Sequence, residues 1–230
     1  MRWGLISAVP FEANLLIKRL CLKQPPKSDL LGLFIGNNVL YISSGIGAVN
    51  TGHATTLLIK EFLPQAVIAF GIGGAYPSSG LKIGDIAVAE KEIYADTGVL
   101  LKNGFHGLNT IGIPLIKKGK KKYFNEFPLD TKLIKKAMRV LPTVHKGVFL
   151  TVSTSTGTLK RANELSRKCN AICENMEGAS VAHICTMYGI PLLELRGISN
   201  MVEDRDLRKW DKALASRRCQ EAVLKIISLI

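Results

Sequence analysis

The chain has 230 residues, of which 47% are apolar, and its formal net charge is +13. This composition excludes a disordered chain and is sufficient for a large buried core. No apolar run reaches the roughly 18 residues needed to span a bilayer. The start, MRWGLISAVPFEAN, lacks the apolar region and cleavage site of a signal peptide, so we expect a cytoplasmic protein.

The positive charge alone would allow a nucleic-acid or acidic-membrane partner. The basic residues are spread, however, and the one dense run, at 117–122, is typical of a solvated loop, so we expect neither partner. The five cysteines lack the paired spacing of a disulfide framework or a zinc site. The apolar surroundings of Cys169, Cys173 and Cys185 favour buried free thiols, and we expect no metal.

Strand-like and helix-like patterns alternate along the whole chain. The predicted strands lie at 2–9, 30–35, 39–43, 66–70, 81–93 and 147–152, before 175–177, where a further strand ends, and at 191–195. The predicted helices lie at 10–20, from the turn 44–50 to about 62, from the cap Asp130 to about 141, and at 159–169, 178–188 and 206–230. Residues 98–125 lack clear periodicity and are expected to form a long surface excursion. The pattern predicts one α/β domain, 1–230, with a mostly parallel central sheet and helices on both faces.

Two glycine-rich turns are candidates for ligand contact. The turn at 44–50 joins a strand to a helix and can bind an anion, although a plain tight turn is equally consistent with it. The stretch beginning at Gly71 has three glycines in four positions, which permits a close approach to the main chain. We expect Gly71 to take part in substrate binding.

The stretch 170–200 delivers polar groups to one edge of the predicted sheet. One strand ends in Met176 and Glu177, and the next is followed by Arg196, Ser199 and Asn200. Open α/β sheets bind ligands beyond the carboxyl ends of their strands. An acid, a guanidinium and an amide are therefore expected to meet there.

Five motifs occur in the order seen in purine nucleoside phosphorylases and nucleosidases, and the chain resembles that family over essentially its whole length. They are SGIG at 44–47, GIGG at 71–74, LKIGD at 81–85, NME at 175–177 and RGISN at 196–200. Each motif alone is weak, but five in order, with Glu12 at the matching place, are specific. Within the family the chain is most similar to the futalosine hydrolase branch.

The resemblance implies a three-layer α/β/α sandwich with a mixed, mostly parallel central sheet bent toward a barrel. It also implies hydrolysis of the N-glycosidic bond of a purine nucleoside, with no metal or organic cofactor, by a homodimer. Such cleavage passes through an oxocarbenium-like state, as in glycosidases. The attacking water, the cationic sugar and the leaving base then each need a partner.

The resemblance assigns the sugar and the water to four residues. Glu12 is expected as the general base for water, with a surface capping charge as the alternative. Arg196 is expected to orient the water or the carboxylate, unless it forms a structural ion pair. Glu177 can accept both ribose hydroxyl hydrogens, and the alternative is an ion pair at a strand end. Met176 would pack against the sugar, unless it belongs to the core.

Asn200 departs from the family pattern, because adenosine-type nucleosidases carry Asp at the matching position. An amide can donate to N7 or O6 and stays neutral, so Asn200 favours a 6-oxopurine such as the hypoxanthine of futalosine. The alternative is a turn residue without base contact. Ser199 would support Asn200, and Thr158 would offer main-chain groups to the base. Trp210 or Phe105 would stack on the base or on the aromatic 5′ group.

Three hypotheses follow. Futalosine hydrolysis is preferred, and phosphorolysis is disfavoured because the stretch at 71–75 has no Arg and Glu12 would repel phosphate. A broader nucleosidase acting on methylthioadenosine, adenosylhomocysteine or aminodeoxyfutalosine is the second, and Asn200 argues against it. A nucleoside-binding protein without catalysis, holding nucleic acid, is the third. The joint presence of Glu12, Glu177 and Arg196 argues against that one.

Overall fold

A computed structural model describes residues 1–25 and 32–229 as an α/β fold with a mixed sheet. The strands are β1 (Trp3–Ser7), β2 (Leu33–Ile35), β3 (Val39–Ser43), β4 (Ala66–Ala75), β5 (Ile86–Tyr94), β6 (Gly98–Leu101), β7 (Gly104–Gly107), β8 (Ile116–Lys118), β9 (Lys121–Tyr123), β10 (Glu126–Pro128), β11 (His145–Thr151), β12 (Ala171–Asn175) and β13 (Leu192–Met201). The helices are α1 (Asn14–Arg19), α2 (Ala48–Phe62), α3 (Thr131–Val140), α4 (Leu159–Cys169), α5 (Gly178–Tyr188) and α6 (Lys212–Leu229).

The main sheet closes on itself. Strands follow the order β10-β5-β11-β12-β4-β1-β3-β2, and β13 pairs with both β4 and β5. The ring β4-β13-β5-β11-β12 is therefore continuous, and β1, β3 and β2 extend it from β4. The mixed α/β fold is confirmed, and the pairing describes a partly closed barrel, as the expected bend of the sheet implied; the three-layer arrangement of the expected sandwich stays a prediction.

Two groups of helices cover the sheet, one formed around α6 and the other by α2 and α5. Helix α6 lies against β4 and β13, and it contacts α1 and α3. Helices α2 and α5 contact each other, and α5 reaches β5, β10 and β11. The largest fully buried side chains include Trp3, Tyr41, Phe70, Phe127 and Phe149. The apolar strand patterns therefore face helices on the sides that the sequence marks as buried.

Strands β4 and β13 run further than the apolar patterns predict. The glycine stretch that begins at Gly71 lies inside β4 and is no turn. Glycine is needed in this part of β4 because the neighbouring strands lie close to it. A Cβ on Gly73 would lie 2.7 Å from the Cys173 sulfur and 3.2 Å from Cβ of Arg196. In β13, residues Arg196 to Asn200 lie within the strand, with a register shift between Ile198 and Asn200.

Two predicted helices begin later than expected. Residues Pro10–Glu12 form a 3-10 turn, and α1 begins at Asn14. At the other end of the chain, Trp210 has an extended backbone and α6 begins at Lys212. Asp211 accepts a hydrogen bond from the backbone of Leu214 at 2.8 Å, which caps α6.

The stretch 98–125 is more regular than predicted, because it forms the hairpins β6-β7 and β8-β9. The predicted helices at 159–169 and 178–188 have the predicted bounds. The hairpin at 33–43 is confirmed where it is described, and the predicted turn and strand start at 26–31 lie outside the described residues. Within the described ranges, no helix is long and apolar enough to cross a membrane.

The cysteines are free thiols throughout the described ranges. Cys173 and Cys185 are buried, as predicted, whereas Cys169 is partly exposed. Nowhere in residues 1–25 and 32–229 do three His, Cys, Asp or Glu side chains gather as a metal site would require.

Candidate functional site

A cavity of about 300 Å³ is lined by residues in or just after the carboxyl-terminal parts of β1, β4, β12 and β13. This volume is at the lower end of the range for small-molecule sites. Three carboxylates, two basic side chains, two amides and an indole line it. These residues are Glu12, Glu174, Glu177, Arg205, Lys212, Asn175, Asn200 and Trp210.

Glu12 is a buried carboxylate held by main-chain donors. Its Oε1 accepts a hydrogen bond from Ile72 N at 2.8 Å, and its Oε2 accepts from Ala8 N at 3.1 Å and Val9 N at 3.2 Å. Burial raises the pKa of the Glu12 carboxyl, while the Arg196 charge and the main-chain donors lower it by less. The result is an oriented carboxyl group of raised basicity at the cavity wall, as general-base catalysis needs.

Gly71 makes room for that carboxylate. A Cβ at position 71 would lie 2.5 Å from Oε1 of Glu12 and 2.9 Å from its Cδ. Gly71 itself is not among the residues that line the cavity. Its expected role in substrate binding therefore becomes one of supporting Glu12, and Ile72, Gly73 and Gly74 are the members of the stretch that reach the cavity.

Glu177 is the second buried carboxylate of the cavity and immediately precedes α5. Its Oε1 accepts from Gly47 N at 3.2 Å, and Gly47 is the residue that precedes α2. Glu177 as a whole is 7% exposed, and it lines the cavity. The glycine turn at 44–50 thus directs a main-chain donor at a carboxylate, and this is one physical reason for its conformation.

Arg196 lies behind Glu177 and does not line the cavity. Its guanidinium donates to Glu194 Oε1 at 3.0 Å, to Glu177 Oε2 at 3.4 Å, to Asn175 Oδ1 at 3.3 Å and to the Ile72 carbonyl at 3.4 Å. The side chain is 3% exposed, and the surrounding carboxylates raise its pKa against the effect of burial. Arg196 can therefore fix the orientation of Glu177, and its contact with Ile72 links it to the Glu12 side.

A second pair of acids lies beneath the site and was missed by sequence reasoning. Glu92 and Glu194 are fully buried, and a Cβ on Gly178 would collide with both carboxyl groups. Glu92 accepts from Asn175 Nδ2 at 2.6 Å and from Thr151 Oγ1 at 2.8 Å. Burial, and then the neighbouring Glu194 charge, raise the pKa of Glu92 well above its ordinary value. Two carboxyl groups that are buried beside each other resist ionising together, which is the physical cause of this direction.

Asn200 and Ser199 form one hydrogen-bonded unit at the bulge of β13. Ser199 Oγ lies 2.7 Å from Oδ1 of Asn200 and 3.2 Å from the Gly73 carbonyl, and Asn200 Nδ2 donates to the Met201 carbonyl at 3.0 Å. Asn200 is 8% exposed and lines the cavity. Its amide plane is fixed at both ends, and a second N–H of the amide has no donor role within this unit.

Of the remaining predicted residues, two line the cavity and two do not. Met176 and Trp210 line the cavity, as expected, and Met176 accepts from Ser155 Oγ at 3.4 Å. The structure does not bring Thr158 to the cavity: its hydroxyl accepts from Arg161 N at 3.3 Å and caps α4. Phe105 is also absent from the lining residues. A Thr just before a helical pattern is itself a capping signal, which explains the displacement.

Among the cavity residues that had been given no contact are Thr156, Glu174, Arg205 and Lys212. Thr156 takes the place expected for Thr158, and it is tied to Glu174, whose Oε1 accepts from Thr156 N at 2.9 Å and whose Oε2 accepts from Thr156 Oγ1 at 2.6 Å. Tyr76 also donates to Glu174 Oε2, at 2.8 Å. Arg205 and Lys212 are the other two, and no sequence signal separates them from the many basic residues nearby.

Comparison with known proteins settles the family. The family model described as "Phosphorylase superfamily" matches residues 2–228. The chain belongs to this superfamily. A futalosine hydrolase of Thermus thermophilus is 33% identical over 193 residues, covering 84% of this chain and 83% of the relative.

The chain is also similar to relatives that are named for a different nucleosidase activity. A 5'-methylthioadenosine/S-adenosylhomocysteine nucleosidase of Exiguobacterium sp. is 28% identical, covering 96% of this chain and 94% of the relative. A solved structure of a futalosine hydrolase mutant of Helicobacter pylori has a TM-score of 0.85 at 21% identity and covers 100% of both chains. The structural likeness shows that the fold is shared.

Proposed function

We propose that this chain hydrolyses the N-glycosidic bond of futalosine and releases hypoxanthine. The chain is an N-glycosidic hydrolase, as its family and its relatives establish. The observation that carries the choice of futalosine is the buried amide of Asn200 at the cavity wall. An amide held by Ser199 and Met201 offers a donor to a 6-oxopurine without any change of protonation.

The proposed mechanism assigns the water to Glu12 and the sugar to Glu177. Glu12 takes a proton from the water that attacks C1′, and its raised pKa supports that role. Glu177 accepts the ribose hydroxyl hydrogens and stabilises positive charge at C1′, and Met176 packs on the sugar. Arg196 acts through Glu177, because it contacts that carboxylate and lies outside the cavity.

Hydrolysis is preferred over phosphorolysis on electrostatic grounds. Phosphate needs several donors of positive charge. Three carboxylates line the cavity, and the contacts of Arg196 are with Glu177, Glu194, Asn175 and the Ile72 carbonyl. A phosphate ion beside Glu12 and Glu177 would be repelled.

Methylthioadenosine or adenosylhomocysteine hydrolysis is the second candidate, because nucleosidases of that name are 28% identical to this chain. A base-release assay separates the two. The protein is incubated with futalosine, inosine and methylthioadenosine, with and without phosphate, and free base is followed. We expect hypoxanthine from futalosine, independent of phosphate. Adenine release from methylthioadenosine at comparable efficiency would overturn the proposal.

A homodimer, a cytoplasmic location and a step in menaquinone biosynthesis belong to the same proposal. The dimer is supported by large apolar side chains at the surface: Val49 is 87% exposed, Leu100 is 80% exposed and Ile113 is 71% exposed. Exposed apolar side chains mark an interaction site where they form one contiguous patch. Light scattering after size exclusion would give the mass, and a mass near 25 kDa would refute the dimer.

A further inference from the structure

The 203–212 segment, which joins β13 to α6, carries an arrangement that bond cleavage does not explain. Trp210 lies in the cavity wall with two basic side chains beside its ring. Arg205 Cζ is 4.9 Å from the ring centroid, and Lys212 Nζ is 5.6 Å from it. Both cations line the cavity.

Every acidic side chain of this segment is engaged elsewhere. Glu203 pairs with Lys209 at 3.0 Å, and Asp206 pairs with Arg208 at 2.8 Å. The other two acids bond to main chain: Asp204 accepts from Leu159 N at 3.0 Å, and Asp211 accepts from Leu214 N at 2.8 Å.

Arg205 and Lys212 are thus the segment's two cations without an ion pair anywhere in residues 1–25 and 32–229. The same cavity wall holds the opposite charge, in Glu12, Glu174 and Glu177. The cavity therefore combines three carboxylates with two cations that lie beside an indole.

We propose that Arg205, Trp210 and Lys212 form a subsite for an aromatic carboxylate carried by the substrate at a distance from the bond that is cleaved. The indole supplies apolar area for a planar ring, and the two cations supply charge-assisted donors for the carboxylate. A neutral 5′ substituent would leave both cations unused. The inference rests on the proposed function in that futalosine, whose 5′ group bears a benzoate, is the nucleoside that offers such a group.

The test compares futalosine with its methyl ester, which keeps the aromatic ring and removes the charge. Affinities are measured by calorimetry in a Glu12→Gln background, so that turnover does not consume the ligand. Exposed ion pairs contribute little each. We therefore expect Arg205→Gln or Lys212→Gln to weaken acid binding about threefold, and the double variant about tenfold, with the ester unaffected.

A matched control removes the same charge from the same segment. The double variant Arg208→Gln/Lys209→Gln loses two cations that already pair with Asp206 and Glu203. It should leave the preference for acid over ester unchanged. Raising the salt concentration should reduce that preference in the parent and in the control, and have little effect in the Arg205→Gln/Lys212→Gln variant.

The aromatic part of the proposal has its own variants. Trp210→Leu should weaken acid and ester alike, and Trp210→Phe should restore most of the loss. Inosine 5′-monophosphate is the comparison anion without a distal aromatic ring. If the Arg205→Gln/Lys212→Gln variant loses affinity for this nucleotide as strongly as for futalosine, the site is a general anion site and the proposal is overturned.

Failure of the subsite and failure of the proposed function give different results. Base release from futalosine with equal binding of acid and ester would refute the subsite and leave the function standing. Preference for the acid without base release would do the reverse. If the Glu12→Gln background does not fold, KM values for acid and ester in the otherwise unaltered enzyme give the same comparison.

Discussion

Replacing Glu12 by Gln tests the catalytic and the structural role of this residue together. Both carboxylate oxygens of Glu12 accept from backbone N–H groups: Oε1 from Ile72, and Oε2 from Ala8 and Val9. An amide has only one oxygen, so in either orientation its NH₂ group faces at least one N–H. A buried donor without an acceptor costs about 1–3 kcal/mol. The variant should therefore lose both stability and turnover.

The expected loss of turnover is larger than the loss of stability. General-base catalysis contributes roughly two to four orders of magnitude in rate. Burial raises the pKa of Glu12, so kcat/KM of the parent should fall as the pH decreases through a value above that of an ordinary glutamate. Below that value the carboxyl is protonated and cannot accept a proton from water. In Glu12→Gln this acid limb should disappear along with most of the activity.

Glu174→Gln is the matched control, because Glu174 is a buried carboxylate of the same cavity. Its Oε2 is bound by the hydroxyls of Tyr76 and Thr156, which can turn and accept from an amide instead. We expect a stability loss below about 1 kcal/mol. Thermal unfolding and hypoxanthine release are measured on both variants. Turnover by Glu12→Gln equal to that of the parent would remove Glu12 from the mechanism, and equal stability losses in both variants would refute the hydrogen-bond argument.

Three further predictions concern neighbours of these groups. Asn200→Asp puts a carboxyl oxygen in place of the amide nitrogen that donates to the Met201 carbonyl at 3.0 Å. Hypoxanthine release should therefore fall about 10- to 100-fold, and the preference should shift toward 6-aminopurines. An unchanged base preference in a substrate panel refutes this. Gly71→Ala puts a methyl group 2.5 Å from Oε1 of Glu12, so kcat should fall while the fold loses about 1–3 kcal/mol; full activity in a stably folded variant contradicts it. Glu194→Gln can keep its carbonyl on Arg196 and offer an amide donor to Glu92. The raised pKa of Glu92 gives the parent stability that is present at low pH and lost as pH rises through that pKa. Denaturant unfolding across pH should show a smaller loss in the variant, because burial still raises that pKa whereas the Glu194 charge no longer does; an unchanged loss contradicts this.

Sequence patterns found the elements whose ends are set locally. Helix α4 begins at the cap Thr158, and α5 ends before Gly189, whose left-handed backbone is typical of a helix terminus. They did not find the ends of β4 and β13, because a strand rich in glycine or polar residues continues only when its neighbours pair with it. That pairing arises from closure of the ring, which no short window of sequence encodes.

The site residues likewise divide into those that local sequence motifs predict and those that only the contacts between distant strands reveal. Glu12, Glu177 and Asn200 were found through motifs, whereas the partners of Arg196 come from separate strands and became visible only in the fold. Glu92 is a clear case, because Glu90 lies only two residues away in β5 and is partly exposed. The pairing of β5 with β11 shifts at Glu90, and α5 passes over Glu92 at Gly178, which lies 86 residues further along the chain.

The closed ring of strands has a consequence for how substrate range can change. Met176, Glu177 and Asn200 lie on or beside strands that are paired along the ring, so a substitution there disturbs the scaffold as well as the site. The 203–212 segment lies outside the ring. It is anchored by backbone bonds from Arg205 to Gly157 and from Asp211 to Ser199, by Asp204, which accepts from Leu159 N, and by the cap of α6. The proposed subsite therefore predicts that grafting this segment between members of the superfamily would transfer the choice of distal group, provided that the bond from Asp211 N to the Ser199 carbonyl is kept.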